Sequence, residues 1–251
     1  MEAYEAFVRA KMALAQETGF EVGVEEIHPL LKPHQKIAVQ WAIRGGRRAL
    51  FASFGLGKTI IQLELCRLLR ERTHGKSLIV CPLGVRQEFA HDVQMLGSTI
   101  QFIRTTAEIG DAEAYITNYE SVREGKLDPT GFTVISLDEA AALRSGGASK
   151  TFRTMMGYFE GTSTYRYVAT AVPSPNDFTE LLIYADWLGI MPQSEAKTRW
   201  FRRNSEKADH LTLHKAKEEE FWTWCSSWSL FLESPADVCP CGCHEEERRH
   251  A

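Results

Sequence analysis

One eight-residue run, Ala52-Ser53-Phe54-Gly55-Leu56-Gly57-Lys58-Thr59, constrains the fold of this chain more than any other. It follows a short β-rich apolar stretch and opens an apolar-periodic run over residues 60–70. Gly55 and Gly57 can take backbone conformations closed to other residues, so the N–H groups around them can turn toward one point. A helix N-terminus adds partial positive charge there, Lys58 adds a full one, and the Thr59 hydroxyl suits a divalent cation. Strand, glycine turn and helix in this order predict a phosphate-binding loop inside a parallel sheet. The glycine that commonly stands six residues before the lysine of such loops is here Ala52.

The rest of the chain is patterned to match. Short β-rich runs at 48–52, 77–81, 99–103, 114–117, 132–137 and 166–170 alternate with helical stretches, which predicts an α/β fold. Near-continuous apolar runs such as Leu78-Ile79-Val80 are what strands buried on both faces look like, so helices are expected on both sides of the sheet. A helix is expected to open at Leu31-Lys32-Pro33-His34-Gln35, with Ile37, Ala38, Trp41 and Ala42 as its apolar stripe and Gly45-Gly46 as its stop. Another is expected over 177–188. Phe221, Trp224, Cys225, Trp228, Phe231 and Leu232 recur at spacings of three and four, which predicts one late amphipathic helix with a packing role. A polar helical segment is expected over about 5–17. The chain therefore divides into an N-terminal helical extension (1–25), one domain (26–238) and a divergent, disordered tail (239–251).

Charge is silent about partners: 29 basic residues against 33 acidic ones leave a net −4, so any basic surface must be local. No apolar run approaches the roughly 20 residues of a membrane span, and the start lacks a basic and apolar leader. The expectation is an unexported, cytoplasmic protein without membrane contact. Cys66, Cys81 and Cys225 sit in apolar stretches and read as reduced core residues. Cys239, Cys241, Cys243 and His244 crowd the tail with single-residue spacers, which strain a tetrahedral zinc chelate. His210 and His214 lack the further ligand that would complete a helical zinc motif, and solvated surface is the expectation for both.

About 80 residues beyond the glycine turn, Val134-Ile135-Ser136-Leu137-Asp138-Glu139 puts two adjacent carboxylates at the C-terminal end of an apolar strand. Ligands of open parallel sheets gather at that end. Asp138 is placed to hold Mg²⁺ with Thr59, and Glu139 to orient and deprotonate a water, a role that hydrolysis needs and phosphoryl transfer to a hydroxyl does not.

Together these segments resemble the first RecA-like lobe of superfamily 2 helicases and translocases, particularly the Swi/Snf-like group and phage and prophage DEAD/DEAH-type helicases. The likeness runs over about residues 4–238. It implies a P-loop NTPase fold, ATP and Mg²⁺ as ligands, and a nucleic-acid-dependent ATPase activity. Leu31-Lys32-Pro33-His34-Gln35 matches the family's adenine-reading segment, so the resemblance implies that Gln35 contacts the base. Gly55, Leu56, Gly57, Lys58 and Thr59 match its phosphate motif, and Asp138-Glu139-Ala140 its acidic motif. Ile79-Val80-Cys81-Pro82-Leu83 and Thr117-Asn118-Tyr119-Glu120 are similar to segments lining the nucleic-acid groove, which implies strand contacts near Pro82 and Asn118. The stretch from Ala169 and Thr170 to Asp177 is similar to the motif that couples the two sites.

Some positions depart from the family. Ala141 and Val172 stand where it often carries polar groups, and no segment matching a second RecA-like lobe follows. The resemblance thus implies either a truncated or frame-altered reading frame or a second lobe supplied by a separate chain, and it favours DNA over RNA. Two rivals stand beside this reading. A small P-loop kinase or NTPase shares the glycine turn but gives no reason for Gln35, Asp138-Glu139 and Asn176-Asp177 in this order. A degenerate lobe that binds nucleotide or DNA without turnover fits the same residues.

Overall fold

The computed structural model describes residues 14–112, 114–143, 149–159, 164–174, 176–203 and 211–238. Seven strands form one sheet in the order β3-β4-β2-β5-β6-β1-β9, and every neighbouring pair is parallel. They are β1 (Arg47–Ala52), β2 (Ser77–Cys81), β3 (Ile100–Phe102), β4 (Ala114–Asn118), β5 (Val134–Asp138), β6 (Tyr165–Thr170) and β9 (Ser229–Leu232). A separate antiparallel hairpin pairs β7 (Phe201–Arg203) with β8 (Leu211–Leu213).

Strand side chains alternate between faces, and the core divides accordingly. Leu50, Ala52, Ile79, Cys81 and Val134 join one cluster with α1 (Pro33–Gly45), α2 (Lys58–Thr73) and α3 (Arg86–Met95). Ala49, Phe51, Leu78, Val80, Ile135 and Leu137 join the other. It is built with α4 (Tyr119–Arg123), α5 (Lys150–Phe159), α6 (Thr179–Trp187), α7 (Gln193–Trp200) and α8 (Glu218–Trp228). The expected α/β architecture with helices on both faces is therefore the observed one, and the six expected strands all form within two residues of their predicted ends.

The C-terminal region departs from expectation. The apolar spacing through Leu232 does not mark a single helix: α8 stops at Trp228, and the next four residues form β9 against β1. Trp228 is three and four residues from Phe231 and Leu232, so a helical stripe and an alternating strand coincide there. On α1 the buried face is His34, Gln35, Ala38, Val39, Ala42 and Ile43, whereas Ile37 and Trp41 of the expected stripe are only half-buried. Of the helical segment expected over 5–17, residues 14–17 are not helical and the remainder lies outside the described residues. The cysteines at 239, 241 and 243 and His210 also lie outside them. Cys66, Cys81 and Cys225 are buried free thiols, as expected. Among the described residues no helix is long and apolar enough to cross a membrane, and no cluster of metal-ligating side chains occurs.

Candidate nucleotide site

Because the sheet is parallel, the loops after β1, β2, β4, β5 and β6 emerge along one edge, and these loops carry the residues singled out in the sequence. The loop after β1 is anchored at both ends. Ser53 N donates to Leu232 O of β9 at 2.8 Å, and Ile61 N of α2 donates to Gly57 O at 3.1 Å. Gly55 and Gly57 have φ of 81° and 80°, the left-handed region that glycine enters without steric cost. A Cβ on Gly57 would also stand 2.2 Å from Gln35 Nε2, whereas one on Gly55 would meet nothing within 4 Å. The first glycine is thus held open toward solvent and the second is packed against α1.

Lys58 opens α2 and arches back over the loop, its Nζ donating to Ala52 O at 3.1 Å and lying 5.0 Å from the centre of the Phe54 ring. That ring is 78% exposed. Gln35 is buried beside the loop: its Oε1 accepts from Lys32 N at 2.8 Å and its Nε2 donates to Leu56 O at 3.3 Å. The start of α1 and the glycine turn are therefore tied together by the residue that the resemblance assigns to the base.

Asp138 ends β5 and is 4% exposed. Gln62 Nε2, from α2, donates to its Oδ1 at 2.7 Å, and the Tyr119 hydroxyl donates to its backbone carbonyl at 2.8 Å. Burial raises its pKa from 3.8 to about 6, the Gln62 hydrogen bond and Lys58 pull it down, and Glu139 pushes it further up. The Cys81 thiol, at the end of neighbouring β2, is pushed up to about 12 by burial and by the Asp138 charge. Glu139 has φ of 43°, an uncommon conformation for a non-glycine residue. The carboxylate turned out by that kink accepts from the Thr170 hydroxyl of β6 at 3.2 Å, and Val172 N donates to the same hydroxyl at 3.3 Å. A polar link thus joins Glu139 to the loop after β6, although Val172 and Ala141 lack polar side chains.

The two groove residues are structural in part. Asn118 caps α4, its side chain accepting from Ser121 N at 2.8 Å, and Pro82 opens a short 3-10 turn at Leu83–Val85. Two residues went unremarked in the sequence. Gln62 and Ser136 are 1% and 0% exposed, and they matter because Ser136 Oγ donates to Gln62 Oε1 at 2.6 Å behind Asp138. The signal that could have found them is a polar residue on an otherwise buried strand, two before Asp138, facing another on the buried side of α2.

The residues present fit a magnesium nucleotide. The loop offers two glycines in left-handed conformation, one of them open, and one ammonium suited to phosphate oxygens. Thr59 and Asp138 are oxygen donors of the kind Mg²⁺ takes, and Gln62 engages only one of the two carboxylate oxygens.

The parallel sheet, its glycine turn and its acidic strand end give the chain a RecA-like P-loop NTPase fold. Its fold is similar to a Sulfolobus solfataricus SWI2/SNF2 ATPase core solved in complex with dsDNA (TM-score 0.66, 21% identity, 85% of this chain and 47% of that one). A second structure of that ATPase core domain gives 0.61, 20% identity and coverage of 86% and 48%. The UvsW helicase of bacteriophage T4 gives 0.51, 18% identity and coverage of 70% and 62%. The chain thus spans between about half and three fifths of the length of these structures. No protein-family model matches the sequence, and no curated protein matches it either.

Proposed function

We propose that this chain is the ATP-binding lobe of a nucleic-acid-dependent ATPase of the superfamily 2 helicase type. The observation that carries the reading is the meeting, at one sheet edge, of the Lys58 loop with Asp138 and a Glu139 that is hydrogen-bonded to Thr170. A phosphate site alone would suit any nucleotide binder. The extra carboxylate, set in a strained backbone and linked toward the loop after β6, suits hydrolysis coupled to a second surface.

In this reading the loop N–H groups and Lys58 hold the phosphates, Gln35 packs the loop at the base side, and Thr59 with Asp138 holds Mg²⁺. Bound Mg²⁺ supplies charge neutralisation for the phosphate oxygens. Glu139 holds and deprotonates the attacking water, and Thr170 fixes its carboxylate. The loops at Pro82 and Asn118 face nucleic acid, and support for DNA comes from the neighbour solved with dsDNA. A second RecA-like lobe would close the site.

Calorimetry with ATP and phosphate release with and without DNA test the proposal. Lys58→Ala is expected to abolish ATP binding, and unchanged affinity would remove the assignment. Glu139→Gln keeps shape and hydrogen bonding, so ATP should bind while DNA-stimulated phosphate release is lost. Release at the parent rate would mean that another group is the base.

A further inference from the structure

A buried polar relay runs behind the acidic strand end. Ser136 Oγ donates to Gln62 Oε1 at 2.6 Å, and Gln62 Nε2 donates to Asp138 Oδ1 at 2.7 Å. Ser136 and Asp138 stand two apart on β5, so both side chains leave the same face of the strand, toward α2. Gln62 stands one helical turn after Lys58, on the buried side of α2.

The direction of the relay is set by its own chemistry. A carboxylate only accepts, so the amide must turn its NH₂ toward Asp138, which leaves the amide oxygen to face Ser136, and the serine hydroxyl supplies the donor. Reversing the amide would set oxygen against carboxylate among side chains that are all nearly fully buried. The relay therefore has one stable orientation. Leucine or alanine would fill these positions in an ordinary strand-helix contact, as Ile135 and Leu137 do on the other face.

Resting on the ATP-binding reading above, we infer that Gln62, anchored by Ser136, is a positioning residue that holds the Asp138 carboxylate in the rotamer that receives Mg²⁺. The amide ties one oxygen back to the protein and fixes the direction of the second. It also links α2, whose first turn forms the phosphate loop, to the strand end that holds the cation, so both halves of the site move as one body. Groups that orient a metal ligand from behind typically change metal affinity by about 10–100-fold when removed.

The test is a Mg²⁺ titration of nucleotide binding, followed with a fluorescent ATP analogue, alongside thermal melting and binding of the same analogue in EDTA. Gln62→Leu has similar volume and cannot donate. It is expected to raise the Mg²⁺ concentration at half-saturation about tenfold or more, with metal-free analogue affinity within about twofold of the parent. Ser136→Ala removes one oxygen, keeps the donor to Asp138 and should shift half-saturation in the same direction by less. The double variant should add little to Gln62→Leu, because the serine acts only through the amide. Should Gln62→Leu not fold, Ser136→Ala alone decides the matter. Parent-like Mg²⁺ half-saturation in a folded Gln62→Leu, or in Ser136→Ala when it stands alone, overturns the inference and leaves the ATP-binding reading intact. So does a loss of metal-free affinity equal to the loss of Mg²⁺ response, which marks a merely structural role. A parent that binds no nucleotide overturns both.

Discussion

Asp138 is the residue on which the stability and the chemistry of the site pull in opposite directions. Burial holds its carboxyl at about 6, against 3.8 for a free aspartate. Between those values the folded chain keeps a proton that the unfolded chain has released, so folding is favoured at low pH and stability falls as pH rises through the interval. The shift corresponds to a penalty of up to about 3 kcal/mol once the group is fully ionised. Asp138→Asn removes the charge while its amide oxygen still accepts from Gln62. In Mg²⁺-free buffer the variant is expected to be more stable than the parent by about 1–3 kcal/mol near pH 7.5, with the gap closing toward pH 4, as urea denaturation at both pH values will show. A gap that is constant with pH would mean that the carboxylate is not held up by burial. The sequence made Asp138 and Glu139 legible through their place after an apolar strand and their order behind the glycine turn. It could not show Gln62 and Ser136 as partners, because both read as polar interruptions until the strand and helix are brought face to face. Nor could it show that Thr170 reaches Glu139, since that contact depends on β5 and β6 being neighbours.

Among the elements, strands were the more legible because this sheet is buried on both faces and its strands read as unbroken apolar runs. The failure at α8 and β9 has a physical origin as well. Of the four residues after Trp228, Phe231 and Leu232 satisfy a helical stripe by spacing, but pairing with the exposed edge of β1 outcompetes another helical turn. The consequence is energetic. Trp228 is fully buried against Phe51 and Trp224, with ring centres 6.1 and 5.3 Å away. Phe231, on β9, is 41% exposed. Trp228→Ala is therefore expected to cost about 3–5 kcal/mol, whereas Phe231→Ala should cost about 1 kcal/mol or less, both read from denaturant midpoints. Equal costs would place Phe231 on a buried helical face after all. Because Ser53 of the phosphate loop donates to Leu232, the packing of α8 under β9 also supports the loop from its outer side.

At the scale of the whole molecule, the described residues contain one parallel sheet with one glycine-rich loop of phosphate-binding type, and the edge that carries this loop also carries exposed apolar side chains. Four of the nine large apolar side chains exposed among the described residues, Phe54, Leu83, Val172 and Phe178, stand in the loops that follow β1, β2 and β6. Exposed apolar groups gathered at one edge mark a surface suited to contact. On the proposed reading, a single lobe that binds ATP at this edge and acts without a facing lobe would lack the arginines that stabilise charge on the γ-phosphate, a contribution of about 10³–10⁵ in rate. On that reading it would also lack a second nucleic-acid contact to move against a first, so hydrolysis would have nothing to drive. The net charge of −4 limits the lobe to a few phosphate contacts, and DNA binding should be weak and fall steeply with salt. The 251-residue polypeptide is accordingly expected to bind ATP and release phosphate slowly, but not to separate strands. A strand-displacement assay at saturating ATP checks this, with the oligomeric state confirmed by light scattering. Robust unwinding by a monomer would show that one lobe suffices, and the roles assigned to the facing lobe would have to be found within this chain.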